Sequence, residues 1–176
     1  IAGILIMCFA LAYSAGPYPL SHHGLGDIAV IIFFGIVPVV LTWYLQTSSW
    51  DSADLAIETS VAIGLLAVNV LVVNNYRDME DDAAVGKRTT VVIFGRKVMS
   101  AAYLLSGFIG MSVMIPVWLG MPVWVFAVPL IYLALHVKTW YSLRQSAGAA
   151  INPLLGRTAM NLLVFALLFA VTCLLS

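Results

Sequence analysis

The sequence predicts an all-α membrane protein, a multi-helix transmembrane bundle, and three observations carry that reading. Of 176 residues, 62% are hydrophobic and 9% charged, where globular domains carry roughly 25% charged residues. The mean hydropathy is +1.04. Five apolar runs, at 28–45, 55–73, 98–119, 123–140 and 159–175, each come near the ~20 residues a helix needs to cross the hydrocarbon core. An ordinary soluble domain is excluded, and the lipid bilayer is the first partner the chain requires.

The elements follow in order. The run 1–13 is apolar but too short to cross alone, and it opens on Ile1 with no Lys or Arg before Arg77, unlike the basic start of a signal peptide. It is expected to be the tail of a helix that begins upstream. Residues 1–176 then form a single transmembrane domain that lacks its first helices. The loop 14–27 holds Gly16, Pro17, Pro19, Gly24 and Gly26, a turn-rich composition with restricted backbone that suits a lid. Arg77, Lys87, Arg88, Arg96 and Lys97 lie between the second and third spans, and Lys138, Arg144 and Arg157 flank the loop after the fourth. Threading five spans puts all of them on one face. The opposite loops, 46–54 and 120–122, contain no Lys or Arg, so the basic face is expected to be cytoplasmic.

Other residues have plainer expectations. Trp43, Trp50, Trp118 and Trp124 flank the opposite ends of the spans, where an interfacial belt is expected. Cys8 and Cys173 are read as lipid-facing or packing cysteines. Asn69 is placed near the cytoplasmic end of its helix as a cavity residue, while Asn152, Asn161 and His136 are expected to bond between helices.

The chemistry concentrates in Asn74-Asn75-Tyr76-Arg77-Asp78-Met79-Glu80-Asp81-Asp82, followed by Gly86-Lys87-Arg88-Thr89. Four of the eight acidic residues fall there within five positions. If the second span continues as a helix, Asn74, Asp78 and Asp82 stand at i, i+4 and i+8 on one face. Neighbouring carboxylates so placed repel by roughly 3 kcal/mol at an effective dielectric near 20, and the helix C-terminus adds to the cost. A cation must offset this. Arg77 could pair with Asp81 four residues on; Asp78 and Asp82 still want a cation of their own. Hard oxygen donors of this kind suit Mg²⁺, held by one or two carboxylates together with substrate phosphates. Lys87 and Arg88 stand ready for the same phosphates, Lys as a point charge and Arg as a planar fork. A water-exposed helix end remains the plain alternative, but the amides Asn74 and Asn75 cost insertion energy that solubility does not require.

These residues resemble the UbiA superfamily of membrane prenyltransferases. Asn74-Asn75-x-Arg77-Asp78-x-x-x-Asp82 and Gly86-Lys87-x-Thr89 are similar to its second Asp-rich motif and trailing basic element. Upstream, Tyr13-x-x-Gly16-Pro17-x-Pro19-Leu20 and Gly24-Leu25-Gly26-Asp27 resemble the loop of the 1,4-dihydroxy-2-naphthoate branch of menaquinone biosynthesis. The span spacing also agrees with helices four to nine of a nine-helix bundle. The resemblance implies a helical barrel with a large cavity, in a bacterial inner membrane, with the site facing the cytoplasm. The first Asp-rich motif of the family, expected before Ile1, is absent from this sequence.

The implied partners are a polyprenyl diphosphate and 1,4-dihydroxy-2-naphthoate, with Mg²⁺ as cofactor and no nucleic acid. Asp78, Asp82 and Asn74 are the expected metal ligands, and Asp78, Asp82 and Lys87 the expected catalytic residues. Asn74, Asn75, Arg77, Lys87, Arg88 and Tyr13 are expected to bind substrate, Tyr13 through its ring face. Glu80 and Asp81 rotate off that face and are second choices. His22 and His23 are possible donors, though adjacent histidines at an interface are more often only polar. Homogentisate or 4-hydroxybenzoate is an alternative acceptor. A cation channel or transporter with an acidic entry ring predicts further polar residues deep in the spans, and these helices hold almost none. A phospholipid head-group enzyme would show its own Gly- and Ala-spaced Asp pattern, which is not found here.

Overall fold

In the computed structural model the described residues are 2–15, 18–51 and 53–175. Gly16 and Pro17 of the upstream motif, and Ile1, lie outside them. The described residues form nine α-helices with short 3₁₀ and π segments and no strand. Helix α1 is Ala2–Ser14. The first full span runs Gly26–Thr47 as α2 (Gly26–Val30), a π segment (Ile31–Ile36) and α3 (Val37–Thr47). Next come α4 (Asp54–Arg77), the short α5 (Met79–Ala84), α6 (Thr90–Val113) and α7 (Ile115–Leu119). Helices α8 (Ala127–Gln145) and α9 (Asn152–Leu175), each led in by a 3₁₀ turn, complete the bundle. Five spans are long and apolar enough to cross a membrane, as the hydropathy predicts.

Helix α4 is the axis of the fold, packing against the π segment, α3, α6 and α9. It begins at Asp54 and ends at Arg77, charges that complement the helix dipole at both ends. The first span crosses it at a pair of glycines. A Cβ on Gly35 would fall on the backbone of Gly64, and one on Gly64 would lie 2.7 Å from the Ile31 carbonyl oxygen. Small residues let membrane helices approach this closely. The π segment sits just before Pro38, which has no N–H and crowds the carbonyl four residues back. Val37 instead donates to Ile32 O, a five-residue step.

Several span boundaries differ from the sequence reading: the fourth span runs on to Gln145 and the fifth begins at Asn152, seven residues before the expected 159. The third span, expected at 98–119, begins at Thr90 and stops at Val113. The charges of Arg96 and Lys97 end the apolar run but not the helix, and Pro116 prevents the α6 ladder from running on into α7. Inside α6, Gly95 takes φ +80°, which turns the chain so that Arg96 Nε donates to Tyr76 O at 3.0 Å. That carbonyl belongs to the last turn of α4, where no intrahelical donor remains.

Large apolar side chains such as Phe34, Leu45, Leu130 and Leu174 are exposed, as lipid-facing residues should be. Trp50 and Trp124 are exposed near the ends of spans, while Trp118 is a correction. It is 2% exposed, donates from Nε1 to Met111 O at 3.2 Å, and meets Phe165 and Phe169 edge to face, because its short helix folds back over the bundle end rather than reaching the interface. Asn69 is also corrected. It lines neither cavity described below; its Oδ1 accepts from Ser106 at 2.8 Å across to α6. Asn161 donates to Thr139 and His136 Nε2 meets Tyr103 O, the expected interhelical bonds, while the Tyr132 hydroxyl meets His136 Nδ1 within α8. Cys8 and Cys173 are free and exposed.

Candidate active site

At the C-terminal end of α4 the backbone leaves helical geometry at Asp78 (φ −92°, ψ 11°) and resumes in α5. The kink is shallow. Asp78 N–H still reaches Asn74 O at 3.1 Å and Asp82 N–H reaches Asp78 O at 2.8 Å, so the four-residue register that groups Asn74, Asp78 and Asp82 survives it. After α5, Gly86 takes φ +74°, a left-handed turn that glycine adopts without strain. Lys87 N–H then closes back on Asp82 O at 2.9 Å, and Arg88 N–H bonds His22 O at 3.0 Å. That last bond ties the acidic loop to the loop before the first span.

The charges meet internal partners. Arg77 holds both oxygens of Asp78, Nε to Oδ1 at 2.6 Å and Nη2 to Oδ2 at 2.7 Å. It also reaches Asn74 Oδ1 at 3.0 Å and Asn152 Oδ1 at 3.2 Å, so it does not pair with Asp81 as expected. Asp78 stands next to Arg77 in the kink, where the two side chains meet, whereas Asp81 faces outward and is exposed. Lys87 Nζ lies 3.0 Å from Asp82 Oδ1. Asp82 is only 8% exposed, and its Oδ2 is buried with no hydrogen-bond partner. Glu80 turns away to a two-point pair with Arg96.

The Arg77 guanidinium holds the Asp78 carboxyl below its ordinary pKa, chiefly by hydrogen bonding, and Arg96 does the same for Glu80. With the folded-state value depressed, the Asp78 pair stabilises the fold at neutral pH, and that contribution is lost as the pH falls through the lowered pKa. Partly exposed pairs of this kind are worth about 0.2–1 kcal/mol, little enough for an incoming ion and phosphate to displace.

Two cavities adjoin here. A polar one of about 310 Å³ is lined by Asn74, Asn75, Lys87, His22, Asp27 and Thr90 among others. An apolar one of about 670 Å³ is lined by residues such as Phe9, Phe33, Ala67, Val70 and Leu162. Tyr13, Leu71 and Asn74 belong to both. The arrangement suits a molecule with a charged head and a long hydrocarbon tail.

Of the sequence-derived site residues, the structure brings Tyr13, Asn74, Asn75 and Lys87 to the polar cavity. Arg77, Asp78 and Asp82 stand beside it as ion pairs, while the Arg88 side chain is exposed and outside its lining. His22 lines the cavity, but His23 bonds Pro19 O through Nδ1 and stacks on Tyr18. Sequence reasoning gave no site role to Asp27, Thr90 or Asn152. Asp27 alone carried a signal, as the single acidic residue in the first fifty positions.

Among the described residues no three His, Cys, Asp or Glu side chains converge as a metal cage. Two carboxylates and an amide fit Mg²⁺ that arrives with a diphosphate, since that ion keeps its waters and shares substrate phosphates. The unpartnered Asp82 Oδ2 is an oxygen with room in its bonding for such a cation.

The fold and the site define an integral membrane bundle built around an acidic helix end. The model of the UbiA prenyltransferase family matches residues 1–163, and the chain belongs to that family. It is 35% identical over 179 residues to the 1,4-dihydroxy-2-naphthoate octaprenyltransferase of Escherichia coli (strain K12), across 100% of this chain and 57% of that protein. The protein of the same name from Haemophilus influenzae is 46% identical over 93 residues, 53% of this chain and 30% of the relative. The 2-carboxy-1,4-naphthoquinone phytyltransferase of Synechocystis is 32% identical over 94 residues, 53% of this chain and 30% of the relative. The chain thus spans little more than half the length of the Escherichia coli relative. No solved structure matches it.

Proposed function

We propose that the chain serves the transfer of a polyprenyl group from its diphosphate to 1,4-dihydroxy-2-naphthoate, with loss of the acceptor's carboxylate to give the reduced, quinol form of demethylmenaquinone. One observation carries the reading: the polar cavity at the acidic helix end and the apolar cavity share Tyr13, Leu71 and Asn74 in their walls. An isoprenoid diphosphate has that shape and polarity, and the acceptor follows the names of the relatives. Basic residues gathered on the same face favour a cytoplasmic site.

Asp78, Asp82 and Asn74 would hold Mg²⁺, which when bound supplies positive charge against the leaving diphosphate. The side chains of the chain do the rest. Lys87 exchanges Asp82 for diphosphate oxygens, and Arg77 is released from Asp78 to face the same charge. The amide of Asn75, buried in the cavity wall, orients the head group. Tyr13 stands where the head-group cavity meets the tail cavity, so its ring face is placed to shield the allylic cation. The apolar walls exclude water that would otherwise capture the cation.

The test is an assay of the intact protein in membranes with Mg²⁺, a polyprenyl diphosphate and dihydroxynaphthoate; a prenylated, decarboxylated product is expected, and its absence overturns the reading. Two variants probe the cavities separately. Lys87→Ala removes a charge-assisted contact worth about 1.5–3 kcal/mol and is expected to raise KM for the diphosphate at least tenfold. Ala67→Trp fills the tail cavity, and competition assays should show a shift in preference toward shorter isoprenoids. An unchanged preference would place the tail elsewhere.

A further inference from the structure

Asp27 is the second residue of the first full span, and it lines the polar cavity across from Asn74, Asn75 and Lys87. Its Oδ1 is buried without a hydrogen-bond partner. Three of the other four carboxylates at this end of the bundle are paired, Asp78 with Arg77, Asp82 with Lys87 on one oxygen and Glu80 with Arg96, and the fourth, Asp81, is exposed to solvent. Asp27 has no ion pair among the described residues.

In the same cavity lining, Thr90 Oγ1 is also buried with no partner at hydrogen-bond distance, and Asp27 is the group its hydroxyl acts on. Each such group costs about 1–3 kcal/mol when left unsatisfied. Two in one cavity indicate a polar guest. Gly26 brings this wall close to the cavity junction, since a Cβ there would lie 3.4 Å from Leu71 Cδ2 and 3.5 Å from the Tyr13 hydroxyl oxygen. Leu71 and Tyr13 border the tail cavity as well.

A diphosphate does not fit beside an unpaired carboxylate, because like charges repel in a partly desolvated site. A neutral donor does. We infer that Asp27 receives the aromatic acceptor, its free oxygen taking a hydrogen bond from a ring hydroxyl, with Thr90 as the second contact. The inference rests on the prenyl-transfer reading and deepens it by assigning the acceptor's half of the site.

The chemistry balances. As the ring carbon bearing the carboxylate attacks the allylic carbon, the hydroxyl proton passes to Asp27 Oδ1 and the ring oxygen becomes a carbonyl. The allylic carbon–oxygen bond breaks, with its electron pair leaving on the diphosphate. Carbon dioxide then departs and leaves its electron pair to the ring, and Asp27 returns the proton to the oxygen. The products are the prenylated diol, carbon dioxide and diphosphate.

The experiment compares the wild type, Asp27→Asn, Asp27→Glu and Thr90→Val in the intact protein, each substrate being varied in turn with the other saturating. Asp27→Asn keeps the shape but cannot accept the proton, so kcat/KM for the acceptor should fall about 100-fold or more while KM for the diphosphate stays within twofold. Asp27→Glu should recover part of the loss, and Thr90→Val should lower the same parameter about fivefold. Folded yield is read from size-exclusion profiles. If Asp27→Asn does not fold, Thr90→Val decides, and unchanged acceptor kinetics in it overturn the inference. So does a rise in KM for the diphosphate as large as that for the acceptor, or no loss at all in an active protein. A wild type that forms no prenylated product overturns the prenyl-transfer reading instead, and this assignment with it.

Discussion

Asp82→Ala is expected to reduce prenyl transfer by about 10³-fold with the protein still folded. The expectation rests on two facts about one side chain. Asp82 is buried at the cavity end, and it keeps one oxygen without a partner while Lys87 takes the other. Removing the carboxylate deletes the oxygen most available to the proposed metal ion and leaves Lys87 without its resting counter-charge. Electrostatic groups aimed at a leaving group commonly contribute 10²–10³-fold or more to kcat each. Asp78→Ala should act in the same direction, but it also frees Arg77 from a two-point pair, so Asp82 gives the cleaner reading. The measurement is turnover at saturating substrates together with Mg²⁺-dependent binding of a non-hydrolysable diphosphate. Turnover within threefold of wild type in both variants would remove the assignment of the acidic helix end.

The second large effect is on the fold. Gly64→Leu should destabilise the bundle by about 3 kcal/mol or more, because even the first carbon of the new side chain would lie 2.7 Å from the Ile31 carbonyl and 3.0 Å from Ile31 Cγ2. Neither the backbone of the π segment nor that of α4 can retreat without losing the contact between the first two full spans. Gly64→Ala should show a smaller fall of the same kind. Thermal unfolding in detergent measures both. A Leu variant as stable as the wild type would show that the two helices do not meet at Gly35 and Gly64. Gly156, whose added Cβ would meet nothing within 4 Å, provides a control: Gly156→Ala should leave the unfolding temperature unchanged or slightly raised.

Number and order of spans were legible in the sequence because hydrophobic length is a local property, and the bilayer reads it locally. The boundary at Val98 failed for a specific reason: Arg96 and Lys97 end an apolar run without ending a helix. Trp118 failed in the same way, since a tryptophan near a span end is taken for an interfacial residue until something packs over it. The grouping of Asn74, Asp78 and Asp82 was legible from their spacing, whereas the resting partners of those residues were not. Arg77 meets Asp78 and Asn152 rather than Asp81 because a kink of one residue redirects its side chain and because α9 begins alongside.

The order of residues along the chain was enough to establish a membrane bundle, its hydropathic layout and the acidic helix end as the place where chemistry resides, because each depends on spacing within one helix or on total apolar length. The tertiary structure alone placed Asp27 and Thr90 in the same cavity as Lys87, and set the polar cavity against the apolar one. Asp27 stands about sixty positions before Lys87 and Thr90, and only the packing of α4 with α2 and the π segment, together with the bond from Arg88 to His22, brings it to their cavity. Such contacts arise from how surfaces fit, and no periodicity in the chain records them.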